Sequence, residues 1–226
     1  MTTEARPLVA LISATPAAIG PAADGFARQF NEARLWNILD DRLLAEADLR
    51  GGVDEQLARR MQRLIDHAIT EGAAAVLLTC SLYGEVAHQY GTDIPVLAPD
   101  DAAFAAAAAV ARRRVLLVAS LQSAGLDSAT RLRRFFAERG AHVEVEAVVA
   151  DGALAAAVAG DGKALAVSLT DGCSGHLAHI DAIVLAQYSL APAAPALEDS
   201  LGLPVIAGPD TAARQLRAGL LEAATA

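Results

Sequence analysis

Polar residues follow four apolar runs of the sequence, and one of these residues carries a thiol. They are Ser13 and Thr15, then Thr79, Cys80 and Ser81, then Ser120 and Ser123, and finally Gln187, Tyr188 and Ser189. Apolar runs of this kind are typical of strands buried inside a parallel sheet, and such sheets bind ligands at the carboxyl ends of their strands, close to helix N-termini. We therefore expect these residues, together with Tyr83, to form the functional site.

Among these residues, Cys80 has the side chain that can take part in the most kinds of reaction. A thiol at the start of a helix ionises more readily than usual and can act as a general base or a nucleophile. Neighbouring hydroxyls and backbone N–H groups can hold a carboxylate and stabilise an enediolate. Two alternatives stay open at this point: Cys80 can be a small buried hydrophobe, and Tyr83 and Tyr188 can either close the pocket or simply pack.

Other reactive side chains point to structural roles. Cys173 and His176 have a spacing seen in zinc sites, but no second cysteine pair accompanies them, so no metal site is expected. Cys80 and Cys173 are expected to be independent thiols rather than a disulfide. No glycine-rich phosphate fingerprint follows a strand, so no nucleotide cofactor is expected.

The sequence contains an internal repeat. Leu8–Ala17 matches Val115–Ala124 and Ala75–Cys80 matches Ala182–Gln187, both at an offset of 107 residues. Between and after them, Ala33–Asp40 matches Ala141–Val148 at an offset of 108, and Ile94–Leu97 matches Leu203–Ile206 at an offset of 109. The repeat makes Gln187 the counterpart of Cys80.

Each repeat predicts four strands that alternate with four helices. Asp54 is placed to cap a helix that Gly72 ends, for example. We predict an α/β protein made of two similar doubly wound parallel-sheet domains related by pseudo-twofold symmetry. The first domain covers residues 1–99, the second covers residues 100–209, and a last helix at 210–226 is placed to pack back on the first. Cys80 and Gln187 are then expected to face each other across one cleft.

The amino-acid composition limits the classes of partner that the protein is expected to bind. The formal net charge is −9, which argues against a surface for nucleic acid or for anionic lipid. The longest apolar run, Ala102–Ala111, has ten residues, whereas a membrane span needs about 20. Residues 1–7 contain no apolar run of signal-peptide length, so a cytoplasmic location is expected. The partners expected are small molecules or further copies of the chain.

The motifs resemble those of the aspartate/glutamate/hydantoin racemase superfamily. The resemblance lies in Ile12–Pro16, in Val76–Gly84 (VLLTCSLYG), in Ala119–Ser123 and in Ile183–Ser189 (IVLAQYS). It implies a cofactor-independent enzyme of two similar α/β domains, with a cysteine from each half beside the α-carbon of a small carboxylate substrate. One cysteine removes the proton and the other returns it on the opposite face. The resemblance also makes a homodimer an expectation without fixing the assembly.

Carried over residue by residue, the resemblance implies that Cys80 is the catalytic cysteine of the first half, with Thr79 and Ser81 as substrate-binding neighbours. Gln187 occupies the position of the second cysteine. Ser120 and Ser123 stand where the superfamily often has a threonine pair for the substrate carboxylate. The superfamily's frequent aspartate after the first strand is replaced by Ser13, Ala14 and Thr15. Because an amide does not exchange protons usefully near neutral pH, inversion by two thiols is not available to this chain.

The sequence therefore predicts a racemase or isomerase that acts at the carbon α to a carboxylate, on an amino acid, a hydantoin or a related acid, with Cys80 as the thiolate. Two alternatives remain open. One is a single-cysteine enzyme similar to arylmalonate decarboxylases or maleate isomerases, although the surviving cysteine of the decarboxylases lies in the second half. The other is a protein that binds small carboxylates without turning them over.

Overall fold

The computed structural model describes residues 6–225 of the chain. The strands of this part are β1 (Leu8–Ser13), β2 (Arg34–Leu39), β3 (Ala75–Leu78), β4 (Val96–Leu97), β5 (Arg114–Ala119), β6 (Glu144–Val149), β7 (Ala182–Leu185) and β8 (Val205–Ala207). Its helices are α1 (Ile19–Gln29), α2 (Arg42–Arg50), α3 (Glu55–Thr70), α4 (Gly84–His88), α5 (Asp101–Val110), α6 (Gln122–Glu138), α7 (Ala153–Ala159), α8 (Gly162–Ser174), α9 (Ala194–Leu201) and α10 (Gly208–Thr225). Residues 1–5 of the N-terminal segment and residue 226 of the predicted last helix lie outside the described residues.

The strands form two four-stranded sheets with the same topology. Their orders are β2-β1-β3-β4 and β6-β5-β7-β8, and every pairing between neighbouring strands is parallel. Helices connect successive strands, as parallel pairing requires. The predicted α/β class with two parallel sheets is confirmed.

Two compact units contain these sheets. The first consists of the residues up to Asp101 together with those from Ala212 onward, and the second consists of Ala102–Thr211. Most of α10 is thus part of the first unit, in which Arg217 forms a salt bridge with Glu32.

The register of the repeat differs from the sequence match at two of the four pairs of corresponding strands. The N–H of Thr79 donates to the carbonyl of Ile12, and the N–H of Ala186 donates to that of Val118. The offset is therefore 107 for β3 and β7 but 106 for β1 and β5, so Ser120 corresponds to Ala14 and not to Ser13. For β2 and β6 the offset is 110 rather than 108, because Arg34 pairs with Leu8 and Glu144 with Arg114.

The prediction of one helix between the second and third strands of each repeat is also wrong. Two helices occupy this place in both units, α2 with α3 and α7 with α8. The break follows Gly51 and Gly52 in the first unit and Gly160 in the second, and all three glycines have positive φ. A left-handed residue ends a helix, and Asp54 and Asp161 then cap the helix that follows.

The strands of the second unit are buried on both faces. Leu116 and Val118 of β5 pack with α7, α8 and α9, whereas Val115 and Leu117 pack with α5 and α6. In the first unit, Ala10 and Ile12 of β1 pack against α2 and α3. Of the helices between residues 6 and 225, none combines the length and the apolar character that a membrane crossing needs.

Gly172 on α8 lies against Ala150, the residue that follows β6, and we predict that alanine at position 172 destabilises the fold. A Cβ atom there would stand 3.0 Å from both Cα and Cβ of Ala150. We expect the overlap to cost about 1–3 kcal/mol and to outweigh the gain in helix propensity of about 1 kcal/mol. Urea denaturation measures the free energy of unfolding. Gly219→Ala is the matched control, because the exposed helical Gly219 has open space around it, and a Gly172→Ala protein as stable as this control would contradict the packing.

Asp181, just before β7, holds the start of β5. Its Oδ2 accepts hydrogen bonds from the backbone N–H groups of Arg112, Arg113 and Arg114, at 2.7, 2.5 and 3.0 Å. The N–H groups of Arg113 and Arg112 lower the pKa of this carboxyl. Because the folded pKa is the lower one, the stabilisation is complete above about pH 4 and disappears as the pH falls through the folded pKa.

We expect Asp181→Ala to lower the free energy of unfolding by about 2 kcal/mol at pH 7. The difference from the parent protein should shrink as the pH falls below about 4 and through the lowered pKa of Asp181. Urea titrations at several pH values measure it, with Asp199→Ala on the exposed face of α9 as the control. A difference that stays constant with pH would show that the charge of Asp181 is not involved.

Candidate functional site

Cys80 stands where the chain leaves the third strand of the first unit. Its backbone is extended, with φ −115° and ψ 118°, and it precedes the 3-10 turn Ser81–Tyr83. The N–H of Tyr83 donates to the carbonyl of Cys80 at 3.1 Å. The residue is 9% exposed. A 3-10 turn thus follows Cys80 where the start of a helix was expected, and α4 begins only at Gly84.

Gln187 has the same backbone role in the second unit. It follows β7 as Cys80 follows β3, it is extended with φ −137° and ψ 143°, and it precedes the 3-10 turn Tyr188–Ala193. The N–H of Leu190 donates to its carbonyl at 3.1 Å. The structure thus agrees with the repeat in making these two positions counterparts, one with a thiol and the other with an amide.

Ser13 and Thr79 hold the strand ends beneath Cys80. The Thr79 hydroxyl donates to the Ser13 hydroxyl at 2.9 Å, and both side chains are buried. These two predicted substrate-binding residues therefore join the ends of β1 and β3. Thr15 caps the 3-10 turn Pro16–Ala18, accepting a hydrogen bond from the N–H of Ala17 at 3.4 Å. Thr15 and Ser81 are both half-buried.

Tyr83 belongs to the core rather than to a ligand-binding surface, which corrects its assignment as a substrate-binding residue. It is completely buried, and its hydroxyl donates to the carbonyl of Leu43 at 2.9 Å. Burial raises the pKa of Tyr83 to about 12, and the thiol of Cys80 and the carboxylate of Asp40 add to the increase. The phenol therefore stays protonated near neutral pH and supports the turn that begins at Cys80.

Ser120 is bound to Gln187, so the structure gives it another role than the predicted carboxylate ligand. Both its N–H and its hydroxyl donate to Oε1 of Gln187, at 2.8 and 3.0 Å. The serine at the end of β5 thereby orients the amide at the end of β7. Ser123 is exposed in the first turn of α6, Tyr188 is buried, and Ser189 is half-buried.

Asp40 is a strand-end residue that the sequence reasoning missed. Its N–H donates to the carbonyl of Ser13 at 3.0 Å, which places it at the carboxyl edge of the first sheet. Its carboxylate accepts a hydrogen bond from the Arg60 guanidinium at 2.7 Å, and its side chain is 14% exposed. An acidic residue directly after a strand was the available signal. The ion pair with Arg60 neutralises its charge.

The remaining thiol has a structural role. Cys173 is fully buried in the core between α8 and the second sheet, and burial raises its pKa to about 11. Among residues 6–225, no group of three or more histidine, cysteine and acidic side chains is arranged to hold a metal ion. His176 instead contacts Glu146, and His88 contacts Asp101.

Comparison with known proteins identifies relatives of the chain. The sequence model of the Asp/Glu/hydantoin racemase family matches residues 82–216. A search of curated proteins gives no match. Among solved structures, glutamate racemase from Bacillus anthracis is similar with a TM-score of 0.74 and 14% identity, over 97% of this chain and 83% of that one.

Two further structures connect the fold with other reactions. Allantoin racemase from Klebsiella pneumoniae has a TM-score of 0.70 at 20% identity, over 96% of this chain and 89% of its own. An arylmalonate decarboxylase has a TM-score of 0.58 at 22% identity, over 94% and 93%. At these identities the likeness shows a shared fold. The fold is therefore one on which both racemisation and decarboxylation occur.

Proposed function

The chain belongs to the Asp/Glu/hydantoin racemase family, and from this premise we propose that it moves a proton at the carbon α to a carboxylate of a small substrate, without a cofactor and with Cys80 as the acid–base group. The observation that carries the proposal is the position of Cys80, which lies at the end of β3 and directly precedes a 3-10 turn. The substrate class is amino acids and related acids, together with hydantoins, in which a ring carbonyl takes the place of the carboxylate.

In the proposed reaction Cys80 acts first as a base and then as an acid. As a thiolate, Cys80 takes the α-proton, and the electron pair of the broken C–H bond passes into an enediolate; the resulting S–H then returns a proton to carbon. The thiol is held by its turn, which Tyr83 anchors through its hydrogen bond to Leu43. The Ser13–Thr79 pair fixes the adjoining strand ends. A positioned acid–base group of this kind accelerates proton transfer by about 10²–10⁴-fold.

Racemisation is the leading reaction because the family and its structural neighbours include racemases. With a single thiol it requires that a water molecule protonates the face of the enediolate opposite Cys80, since return of the proton by Cys80 alone restores the original configuration. The specific observation that favours a second candidate is the amide at position 187. With a thiol at one of the two counterpart positions and an amide at the other, the chain has one proton donor where the resemblance implies two, and decarboxylation of a malonate-type acid needs only one. In that reaction the C–C bond breaks, CO₂ leaves, the enediolate keeps the electron pair, and the Cys80 S–H protonates it.

Incubation in D₂O tests the proposal. The purified chain is mixed with aspartate, glutamate, allantoin, a substituted hydantoin and an arylmalonate, and proton NMR follows each α-carbon. We expect deuterium at the α-carbon of at least one compound, with racemisation or CO₂ release identifying the reaction. If no compound of the panel acquires deuterium while one or more of them bind, the chain is a carboxylate-binding protein and the proposal of catalysis is wrong.

A further inference from the structure

The side chain of Gln187 is held in one orientation by Ser120. Its Oε1 accepts hydrogen bonds from both the N–H and the hydroxyl of Ser120, at 2.8 and 3.0 Å. A backbone N–H can only donate, so the atom that faces it must be the amide oxygen and cannot be the nitrogen. The chemistry of Ser120 therefore decides which end of the amide points away from the sheet.

The other end of the amide offers two donors. The oxygen of Gln187 has both of its lone pairs occupied by Ser120, which leaves Nε2 with two N–H groups. Within residues 6–225, Nε2 donates to no protein acceptor, and the side chain is half-buried. A fixed donor with no acceptor of its own is prepared for an acceptor that comes from outside the protein.

The neighbouring backbone suits an anion. Helix α6 has 17 residues and begins two positions after Ser120, and no side chain caps its N-terminus. The unpaired N–H groups and the dipole of such a terminus favour negative charge. An ammonium group would meet only donors at Nε2, so this environment discriminates against it.

We infer that Gln187 is a substrate-binding residue that donates both N–H groups to a carboxylate, and that Ser120 is the positioning residue that holds it in place. The inference rests on the proposed function for the identity of the reaction, but the donor itself requires only the contacts within the second unit. It assigns to Gln187 the recognition of a carboxylate rather than the transfer of a proton. Dicarboxylates are then bound through Gln187, whereas ammonium groups are excluded from it.

Binding of malonate, measured by calorimetry, tests this assignment without any turnover. Gln187→Glu keeps an oxygen for both Ser120 donors but replaces the N–H groups with a second negative oxygen, and we expect malonate affinity to fall about 30-fold or more. Gln187→Met, which has neither donor nor charge, should lose about 10-fold and serves if the glutamate variant does not fold.

The role of Ser120 needs its own readout. Ser120→Ala keeps the backbone donor and removes the hydroxyl, so we expect a loss of about three- to ten-fold in malonate affinity, with rescue by Ser120→Thr. In ¹⁵N–¹H spectra, malonate should shift the side-chain amide signals of Gln187 in the parent protein and shift them less in Ser120→Ala. A structural serine would leave these signals and their response unchanged.

Two results would overturn the inference: malonate binding that is absent in the parent protein at millimolar concentration, or Gln187→Glu binding malonate as tightly as the parent. Failure of the proposed function looks different. In that case malonate binds, the Gln187 variants weaken binding, and no compound exchanges its α-proton in D₂O.

Discussion

Replacing Cys80 with alanine is expected to lower the rate of α-proton exchange by about 10³-fold or more. The thiol is the group that removes and returns the proton in the proposed reaction, and general acid–base groups contribute about 10²–10⁴-fold to such rates. Two neighbouring side chains are unsuited to replace it, because the Thr79 hydroxyl is bound to Ser13 and the pKa of Tyr83 is raised to about 12 by burial. Deuterium incorporation into the substrate identified in D₂O measures the rate.

Cys173→Ala is the matched control for this experiment. Cys173 lies on α8 and is fully buried in the core of the second unit. We expect its alanine variant to lose some stability through the cavity it leaves and to keep the exchange rate of the parent within a few-fold. A Cys80→Ala protein that retains more than a tenth of the parent rate would show that another group does the chemistry.

The two cysteines are also expected to differ by at least about 100-fold in their rate of alkylation by iodoacetamide at pH 7. Burial raises the pKa of Cys173 to about 11, so only about 10⁻⁴ of it is thiolate at this pH. The reagent must in addition reach the sulfur, and Cys173 is 0% exposed where Cys80 is 9% exposed. Mass spectrometry of the two cysteine-containing peptides gives both rates in one sample.

Unfolding provides the reference for this comparison. In concentrated urea the burial that distinguishes the two thiols is gone, and their alkylation rates should agree within a few-fold. Similar rates in the native protein, or faster alkylation of Cys173, would contradict the burial of Cys173 and the accessibility of Cys80.

The sequence was sufficient to predict the two parallel sheets but not their register. Continuous apolar strands such as Val9–Ile12 are buried on both faces, and they lack the alternation that distinguishes an inward face from an outward one. Shifting one apolar run by one residue against the other therefore gives an equally good sequence match. Backbone hydrogen bonds fix the register, and they make Ser120 the counterpart of Ala14 in the repeat.

The extra helix in each unit was hidden for a different reason. Helix α2 has nine residues, and its apolar stripe is short enough to be overlooked in the sequence. The signal that was available is the pair Gly51 and Gly52, which ends α2 with positive φ at both residues. In the second unit, Gly160 and the capping Asp161 carry the same information.

The residue types of the candidate site could be predicted from the sequence, whereas the hydrogen-bond partners of those residues could not. The positions of Cys80 and Gln187 follow from the repeat and from the strand ends. Whether Ser120 binds a substrate or binds Gln187 depends on rotamers and on the contact between the ends of β5 and β7, and spacing along the chain contains neither. The same holds for Tyr83, whose hydroxyl lies within reach of the Leu43 carbonyl only in the folded chain.

Inactivation by bromoacetate is the measurement that addresses Cys80 most directly, because the reagent combines a carboxylate with an alkylating carbon. We expect that one equivalent is incorporated at Cys80, that the rate saturates with reagent concentration, and that malonate protects the thiol. Alkylation that increases linearly with concentration, ignores malonate or modifies Cys173 equally would show that Cys80 does not lie where a small carboxylate binds.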